Sequence, residues 1–549
     1  MKYLENNLIY LPLGGSGEIG MNCNLFHFKD SWLMVDLGVT FNDNDSGAYD
    51  LILPNIEFLK DKINKLSALI LTHAHEDHIG AVPYLYENLG RPPIFCTAFT
   101  ASVLKRKFDS MGTNNIKINL LKYGNEYDFG PFSIELFSMT HSIPESSSIL
   151  IKTQNGNIFH TGDWKIDPKP LVGDPIDDSN LKVKLKDKVD IMICDSTNVF
   201  EPKPSGSEGE VRDNLRKIFS QHHNGKIVIT CFASNIARIE SIIKASEESD
   251  KCCLLLGRSL RRIYESAQEN NLLTNFKNII TEKEAKMLPD ENLVIICTGS
   301  QGEKRAALSR VVNNNHKFLD LNKKDLLIFS SREIPGNEKR INNVKSIAKK
   351  RGCTLLDHTN SKVHVSGHPS KEELGKMYDW VSPDLLIPVH GEYRHLEEQI
   401  KFSKESGIKK QILVENGDLV ILDRGIDRKI IGKVESGRTV LKGNKLIPLN
   451  DKFLSNLDLI NSDGEVFINI ILDLKDNLMT DPVIFCPSVP IDDNVKSELK
   501  LLISKNFDEM CNNSFDDNIL CDQIKTNVRS FFKNKIELKP LTFIEIVRI

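Results

Sequence analysis

The sequence lacks any long hydrophobic run. No stretch of its 549 residues approaches about 18 consecutive uncharged apolar residues, so we expect no membrane-spanning helix. The first residues, Met1–Leu13, lack the charged-then-apolar layout of a secretory signal, which argues against export. These two absences predict a cytoplasmic protein that has no membrane partner.

Cysteine pairs with the spacing of metal or disulfide sites are also missing. The 11 cysteines are scattered and odd in number, none forms a Cys-x-x-Cys pair, and Cys252 and Cys253 are adjacent. This usage is typical of reduced cytosolic thiols and argues against a disulfide framework or a thiolate zinc site. The net charge of -4 excludes a generally basic nucleic-acid coat but leaves room for a local basic channel.

The order of apolar runs divides the chain into parts. The first third reads as β-rich, and Glu201–Gly209 marks a connection that is rich in proline and glycine. Beyond it, short apolar strands alternate with helices, which indicates a mostly parallel α/β unit. The predicted strands there are Lys226–Cys231, Cys252–Leu256, Leu293–Cys297 and Leu326–Ser330, and the predicted helices are Ile236–Ser246, Arg258–Asn270 and Lys304–Val312.

The last part, from about Phe453 to Ile549, reads as a separate α/β module. Its final segment, Leu541–Ile549, carries apolar residues on both faces, so we expect that strand to be covered on both sides. An apolar strand left at an open edge would favour aggregation. Burial inside its own module and burial in a contact between subunits are both compatible with this pattern.

The segment Thr72–His78 concentrates metal-binding residue types. The chain has only 14 histidines, yet three of them and an aspartate fall within this segment, directly after the apolar run Ala68–Leu71. His73 and His75 are two residues apart, so an extended turn can direct both at one point, while Asp77 and His78 can face a second point. Imidazole and carboxylate ligands suit zinc or similar first-row metals.

This segment has the His-x-His-x-Asp-His signature of the metallo-β-lactamase superfamily, which the chain resembles. The resemblance implies later histidine and aspartate ligands and two divalent metal ions, expected to be zinc, with manganese or magnesium as alternatives. The implied metal ligands are His73, His75, Asp77, His78, His141, Asp163 and His390. Asp163 would bridge the two ions, and Asp36 matches the family carboxylate that orients a ligand.

Further motifs resemble nucleases of this superfamily that carry an inserted β-CASP domain. Asp195, the segment His364–His368 and the late His390 match the marks of that insertion. The segments Gly14–Gly20, Phe232–Ile236 and Thr298–Glu303 are similar to the ribonuclease J family in particular. The implied fold class is α/β: an αββα metallo-β-lactamase sandwich with an inserted α/β β-CASP domain and a small C-terminal α/β domain. The expected limits are 1–204 and 369–425 for the sandwich, 205–368 for the insertion, 426–452 for a linker and 453–549 for the C-terminal domain.

The resemblance implies a metal-dependent ribonuclease for RNA maturation and decay. It would act as a 5′-to-3′ exonuclease that prefers 5′-monophosphate ends of single-stranded RNA, with endonuclease activity, as a homodimer or homotetramer. The expected catalytic residues are Asp77, Asp195 and His368, where His368 paired with Asp195 is the candidate general acid. Glycine- and serine-rich loops can bind phosphate through their backbone N–H groups. The expected RNA-binding residues are Ser234, Asn235, Gly302, His364, Ser366, Gly367 and His368.

Other functions compete with this interpretation. A small-molecule hydrolase such as a lactamase or thioesterase is usually near half this length and lacks the insertion. A catalytically weak RNA-binding subunit would not need all seven metal ligands. A β-CASP nuclease that acts on DNA is the remaining alternative, and His390 weighs against it because the DNA-repair branch tends to have an apolar residue there.

Overall fold

The computed structural model describes residues 6–41, 51–273, 276–317, 319–334, 336–443, 445–510 and 516–549. Contacts divide the chain into two compact units. The first is built from residues of Met1–Asp43 and Ile52–Arg438, and the second contains Thr439–Ile549. None of the helices in the described ranges combines the length and hydrophobicity that crossing a membrane requires.

Two stacked β-sheets form the centre of the first unit. In spatial order, the first sheet contains Lys429–Lys433, Asp418–Ile421, Ile9–Gly14, Cys23–Phe28, Ser31–Val35, Leu66–Ile70, Ile94–Cys96 and Ile118–Leu120. The second contains Glu126–Phe129, Phe132–Met139, Ser146–Thr153, Gly156–His160, Ile191–Asp195, Leu385–Val389 and Lys410–Gln411. Strands such as Ile191–Asp195 read as unbroken apolar runs because the sheet is buried on both faces.

Apolar side chains from both sheets interdigitate to form the sandwich core. Phe26 and Leu33 of the first sheet belong to the same buried cluster as Ile149 and Ile193 of the second. On the other face of the second sheet, helix Lys371–Val381 packs through Leu374, Met377 and Trp380 against residues that include Phe159 and Met192. The result is a layered sandwich whose strand ends meet at shared edges.

A third sheet forms the middle of the chain and is parallel throughout. Its spatial order is Ile279–Ile280, Cys252–Leu256, Leu293–Cys297, Ile227–Thr230, Leu326–Phe329 and Thr354–Leu356. Its helices are Glu208–Gln221, Ile236–Glu247, Arg258–Glu269, Glu282–Ala285, Ala307–Val312 and Glu338–Lys350, with a 3₁₀ turn at Asp290–Asn292. The predicted alternation of strands and helices is confirmed, and the helix expected from Lys304 begins only at Ala307.

The remaining elements of the described residues include short strands and further helices. The strands are Ser16–Gly17, Thr40–Phe41, Leu51–Pro54, Gly391–Glu392, Arg438–Lys442 and Lys445–Pro448. The helices are Glu57–Lys65, which is 3₁₀, Glu76–Ile79, Val82–Leu85, Ala98–Ser110, Asp178–Leu185 and Tyr393–Glu405. The strand Lys429–Lys433 corrects the expected linker: it pairs antiparallel with Asp418–Ile421, so the first sheet extends beyond residue 425.

In the second unit, the described residues after 450 form a three-stranded sheet and three helices. The sheet order is Val483–Phe485, Glu465–Leu472 and Leu541–Arg548, and the helices are Lys452–Asp463, Asp493–Met510 and Asp517–Ile536. One sheet face is buried against helix residues, but the other exposes a row formed by Phe485, Phe467 and Phe543, which lie opposite one another. The expectation that the last strand is covered on both sides is therefore wrong for the single chain, in which Phe543 is 42% exposed.

Candidate metal centre

The expected metal ligands all follow the carboxyl ends of sandwich strands. Leu66–Ile70 runs into the segment Thr72–His78, and three strands of the second sheet end just before His141, Asp163 and His390. Those three strands run in one direction. Strands that point the same way deliver the residues after their ends to one edge of a sheet, so side chains far apart in sequence meet there.

The first cluster consists of His73, His75, His141 and Asp163. His75 Nδ1 lies 2.9 Å from His73 Nε2 and 3.1 Å from His141 Nε2. Asp163 Oδ2 lies 3.8 Å from the Nε2 atoms of both His73 and His141. Three imidazole nitrogens and one carboxylate oxygen therefore converge on one point.

The second cluster consists of Asp77, His78, His390 and again Asp163. Asp77 Oδ2 lies 3.1 Å from His390 Nε2 and 3.7 Å from His78 Nε2. Asp163 Oδ2 lies 3.2 Å from His78 Nε2 and 3.5 Å from His390 Nε2. The carboxylate of Asp163 thus belongs to both clusters and lies between them.

These separations fit a small divalent cation. In each cluster the ligand atoms all lie within 4.8 Å of one another. A tetrahedral ion with ligands at about 2.0–2.2 Å has neighbouring ligand atoms about 3.3–3.6 Å apart. The clusters offer imidazole nitrogen and carboxylate oxygen at such spacings, which suits divalent metal binding.

Hydrogen bonds on the far side of the rings fix how the histidines point. The carboxylate of Asp36 accepts from the backbone N–H and the hydroxyl of Thr72, both at 2.8 Å, and lies 2.7 Å from His78 Nδ1. Because the carboxylate can only accept, His78 donates from Nδ1 and directs Nε2 at the cluster. Thr72 Oγ1 also lies 3.0 Å from His73 Nδ1, so one threonine supports ligands of both clusters.

A second threonine supports the late histidine. Thr197 Oγ1 lies 2.7 Å from Asp195 Oδ1 and 2.8 Å from His390 Nδ1. The hydroxyl therefore donates to Asp195 and accepts from His390, which again leaves Nε2 facing the metal ligands. The roles of Thr72 and Thr197 are not apparent from the sequence pattern, although each stands beside a motif residue.

Two residues of the centre have strained backbones. Asp36 has φ 63° and His390 has φ 55°, the left-handed region that residues other than glycine adopt rarely. Such conformations cost about 1–3 kcal/mol each and persist only when surrounding contacts enforce them. Here the contacts include the backbone bond of 2.6 Å from His390 N to Gly15 O. The fold holds His390 against a local preference, as expected of a functional position.

The histidines of the first cluster are neutral at physiological pH. Burial lowers the pKa of His73 and of His141 well below the usual range, and it lowers the pKa of His75 to about 4. Neutral imidazole is the form that binds a metal. The site therefore holds these ligands ready without a cost of deprotonation.

The second cluster carries a strong negative field. Burial opposes protonation of His390, yet the nearby carboxylate of Asp163 raises its pKa to about 9. The pKa of His78 is likewise raised against burial by Asp163 and Asp36. A field that favours a proton on these rings also favours a metal cation, which would replace that proton.

His368 and Asp195 form an ion-pair geometry beside the metal ligands. His368 Nδ1 lies 2.7 Å from Asp195 Oδ2, and Asp195 is buried. Burial lowers the pKa of His368, but the carboxylate of Asp195 outweighs burial and raises it above the usual value. The ring also packs 5.1 Å from that of His141. The structure thus brings the expected acid pair together next to the first cluster.

The segment Val363–His368 approaches the centre from the other side. The carbonyl oxygen of Gly367 lies 2.5 Å from His141 Nδ1, and Asn198 Nδ2 donates to Ser366 Oγ at 2.5 Å. His364 Nδ1 is buried and has no hydrogen-bond partner among the described residues. His364, Ser366, Gly367 and His368 therefore lie on one stretch of chain that contacts the metal ligands.

The other expected RNA-binding residues have structural roles in the insertion. Asn235 caps helix Ile236–Glu247 by accepting from Arg238 N at 2.9 Å, and its amide donates to Glu208. Ser234 lies in the preceding turn, where its carbonyl accepts from the N–H of Ile236. Gly302 turns the chain at φ 73°, and its N–H donates to the carbonyl of Gly299. The side chain of Asn235 is thus occupied within the fold.

Models of three protein domains match the chain. A β-lactamase superfamily domain matches residues 32–202, the β-CASP domain of ribonuclease J matches 224–347, and the Zn-dependent metallo-hydrolase RNA specificity domain matches 358–413. Ribonuclease J of Sinorhizobium meliloti is 38% identical over 484 residues, covering 87% of this chain and 85% of the relative. The chain belongs to the ribonuclease J family.

Further relatives agree with membership of the ribonuclease J family. Ribonuclease J of Thermus thermophilus is 33% identical over 84% of this chain and 82% of its own length, and that of Helicobacter pylori is 29% identical over 91% and 74%. A crystal structure of a protein of unknown function from Enterococcus faecalis V583 shares the fold. It matches with a TM-score of 0.54 and 17% identity, and covers 76% of this chain and 100% of that one. The predicted metallo-β-lactamase fold with a β-CASP insertion is confirmed.

Proposed function

We propose that this chain is a metal-dependent ribonuclease that hydrolyses the phosphodiester bonds of single-stranded RNA. It acts as a 5′-to-3′ exonuclease that prefers 5′-monophosphate ends, and as an endonuclease, in RNA maturation and decay in the cytoplasm. The observation that carries the proposal is the pair of histidine and aspartate clusters that share Asp163. The similarity to the relatives named Ribonuclease J supports the RNA substrate.

The two clusters are the proposed sites of two divalent cations, zinc in the first instance and manganese or magnesium otherwise. His73, His75 and His141 would hold one ion and the second cluster would hold the other, and Asp163 belongs to both clusters. When bound, such a pair lowers the pKa of water from 15.7 toward about 7 and neutralises charge that develops on the phosphate. Asp36 and the two threonines keep the imidazoles aimed at these positions.

Protonation of the leaving oxygen is assigned to His368. Its Nδ1 atom is held by Asp195, so Nε2 is the ring atom that can deliver a proton. The carboxylate of Asp195 raises the pKa of this ring, which favours the protonated form that an acid needs. Because the ring lies beside His141, the acid and the metal ligands face one reaction space.

Selection of the 5′ end is assigned to the segment Val363–His368. His364 Nδ1 is buried and contacts no hydrogen-bond partner within the part of the chain that the structure describes. Burial lowers the pKa of this imidazole, and so do the positive charges of Arg238, Lys165 and Arg332. Each of these cations also contacts a carboxylate, so the contact with an anion such as a 5′-monophosphate is assigned to the His364 ring itself. Ser366 and the backbone of Gly367 would complete the contact, while Ser234, Asn235 and Gly302 shape the adjacent turns.

The domains divide this work. The insertion, 205–368, supplies the phosphate contacts, and the sandwich, built from 1–204 and from residues after 368, supplies the metal ligands. The C-terminal domain, 453–549, is the proposed site of homodimer or homotetramer contacts, because it exposes the apolar sheet face around Phe467 and Phe543.

In the deciding experiment, the protein digests an RNA of one sequence prepared in three forms, with a 5′-monophosphate, a 5′-triphosphate or a 5′-hydroxyl. Product lengths are resolved on a gel. The proposal expects mononucleotides from the monophosphate end, slower attack on the other two, and internal fragments that appear irrespective of the 5′ group. His75→Ala should abolish all products and lower the bound metal. His222→Ala, a histidine outside both clusters, is the matched control and should leave cleavage intact.

Two results would contradict the proposal. Equal cleavage of all three RNAs by the metal-loaded protein would remove the 5′-end preference. Cleavage at the wild-type rate by folded His75→Ala protein would remove the metal assignment. Digestion of single-stranded DNA of the same sequence tests substrate class, and the proposal expects RNA to be cleaved far faster.

A further inference from the structure

A buried ion pair lies at the start of the insertion, outside the two metal clusters. The guanidinium of Arg238 is fully buried, and its Nε and Nη2 atoms donate to the two carboxylate oxygens of Glu208 at 3.0 and 2.9 Å. Such a two-pronged geometry is the strongest form of arginine–carboxylate contact. Glu208 begins helix Glu208–Gln221, and Arg238 lies in the first turn of helix Ile236–Glu247. The pair therefore joins the amino-terminal ends of two helices.

The remaining nitrogen of Arg238 makes contacts that this ion pair does not need. Nη1 donates to the carbonyl oxygen of Ser330 at 2.8 Å, to its hydroxyl at 2.7 Å and to the carbonyl oxygen of Val363 at 2.9 Å. The Ser330 hydroxyl itself donates to Val363 O at 2.7 Å. One guanidinium thus connects the two helices to the end of strand Leu326–Phe329 and to the residue directly before His364.

Val363 begins the segment that approaches the metal centre. Residues 363–366 belong to no helix or strand, so contacts with other parts of the chain hold this stretch in place. At its far end, Gly367 O contacts His141 and His368 Nδ1 contacts Asp195. At its near end, Arg238 and Ser330 hold Val363. The segment is therefore fixed at both ends, once by the metal-centre residues and once by the buried arginine.

We propose that Arg238 is a positioning residue for the segment Val363–His368. It holds the backbone at Val363 so that His364, Ser366 and His368 present their polar atoms to the RNA, and it contacts no substrate itself. This inference rests on the proposed function, because the segment is where that function places 5′-phosphate binding and proton delivery. A planar guanidinium can contact Glu208 and Val363 at once, whereas a lysine ammonium cannot.

The test must distinguish a role of Arg238 in positioning the segment Val363–His368 from a role in the stability of the fold. Replacing Arg238 alone leaves Glu208 buried and unpaired, which destabilises a fold whatever the role of the arginine. The double variant Arg238→Met with Glu208→Gln removes both charges and keeps an acceptor for Asn235. It still removes the arginine's hydrogen bonds to Ser330 and Val363, so that only the Ser330 hydroxyl remains as a donor to Val363 O. We expect it to melt near the wild-type temperature and to retain the wild-type metal content.

Its activity should nevertheless fall. With 5′-monophosphate RNA, kcat should drop about 10²-fold, the size of loss that follows a misplacement of about 1 Å. KM should change less, and the ratio of rates for 5′-monophosphate and 5′-hydroxyl RNA should shrink. Hydrogen exchange of residues 363–368, measured on the metal-free protein, should become faster. Arg238→Lys should show a partial loss in the same direction.

The chain offers a matched control in Arg212, which donates to Glu240 Oε2 at 2.7 Å and to Ser241 Oγ at 3.2 Å. This pair joins the same two helices, and among the described residues its side-chain partners, Ser241 and Lys244, lie outside the segment 363–368. Arg212→Met with Glu240→Gln should leave kcat, the end preference and the hydrogen exchange unchanged. If it reduced them as much as the Arg238 double variant, the loss would be generic to the helix pair and the proposal would be overturned.

Three further cases complete the test. A folded, metal-loaded Arg238→Met/Glu208→Gln protein with the wild-type rate and wild-type exchange at 363–368 overturns the proposal. If that variant does not fold, Ser330→Ala takes its place, because it removes only the hydroxyl between Arg238 and Val363. Faster exchange at 363–368 in Ser330→Ala is the expected result, and unchanged exchange refutes the role. If the wild-type protein cleaves no RNA, the proposed function is wrong. Hydrogen exchange of residues 363–368 in the variants would still test whether Arg238 positions this segment.

Discussion

Replacing His368 by alanine removes the proposed proton donor but no member of the two metal clusters that share Asp163. General acid catalysis contributes about 10²–10⁴-fold, so the single-turnover rate should fall by that factor. Asp195→Asn keeps the imidazole and removes the carboxylate that lies 2.7 Å from it. A hydrogen bond to a charged group contributes about 1.5–3 kcal/mol, which corresponds to roughly a 10- to 150-fold loss. The expected order of rates is therefore wild type, then Asp195→Asn, then His368→Ala.

The leaving group supplies the sharper assay. In a nitrophenyl ester of a nucleotide, the leaving group is nitrophenolate, which departs without needing a proton. His368→Ala should therefore cleave this ester nearly as fast as the wild type does. Metal content, measured by plasma mass spectrometry, should be unchanged in both variants. Loss of metal in His368→Ala would mean that His368 is a ligand or supports one. Equal losses on RNA and on the ester would likewise refute its role as the acid.

Three other perturbations test separate parts of the structure. Thr197→Val should weaken metal binding about 10- to 100-fold, because His390 loses the contact that orients it, and competition with a chelator measures this. Removing residues 439–549 should leave a folded first unit that cleaves short RNA but has weaker activity on long RNA. Light scattering should show a shift toward monomer, and an unchanged oligomer would refute the assembly role. Burial opposes ionisation of Glu208, but the charge of Arg238 outweighs burial and lowers the pKa of this carboxyl. The ionised carboxylate therefore contributes fully to stability above the unfolded pKa of about 4.3, and this contribution is lost as pH falls through the folded pKa. The difference in melting temperature between wild type and Glu208→Gln should therefore shrink from pH 7 to pH 3, and a constant difference would contradict the pairing.

Much of this site can be predicted from the sequence because several of its metal-binding residues lie close together in the chain. Thr72–His78 follows a short apolar strand, and few arrangements other than a metal site place three histidines and an aspartate there. The strand Ile191–Asp195 is readable for a similar reason, since a sheet buried on both faces demands an unbroken apolar run.

Contacts between distant segments were beyond prediction. Thr197 supports His390 across 193 positions, and a threonine after a strand gives no sign of its future partner. The edge strand Lys429–Lys433 has every residue exposed, so no apolar pattern distinguishes it from a linker. In the last strand, apolar residues occur on both faces, and only the fold shows that the face with Phe543 stays open.

The neighbours of strand Ile191–Asp195 in the second sheet have a consequence for biosynthesis. One neighbour, Gly156–His160, precedes it, but the other, Leu385–Val389, comes only after the whole insertion, about 190 residues later. At about 5–20 residues per second, the ribosome needs roughly 10–40 s to supply that partner. During this interval one edge of an apolar strand has unpaired N–H and C=O groups, which can pair with another chain. The insertion must therefore fold promptly on its own parallel sheet, and the last metal ligand, His390, arrives with the strand that closes this edge.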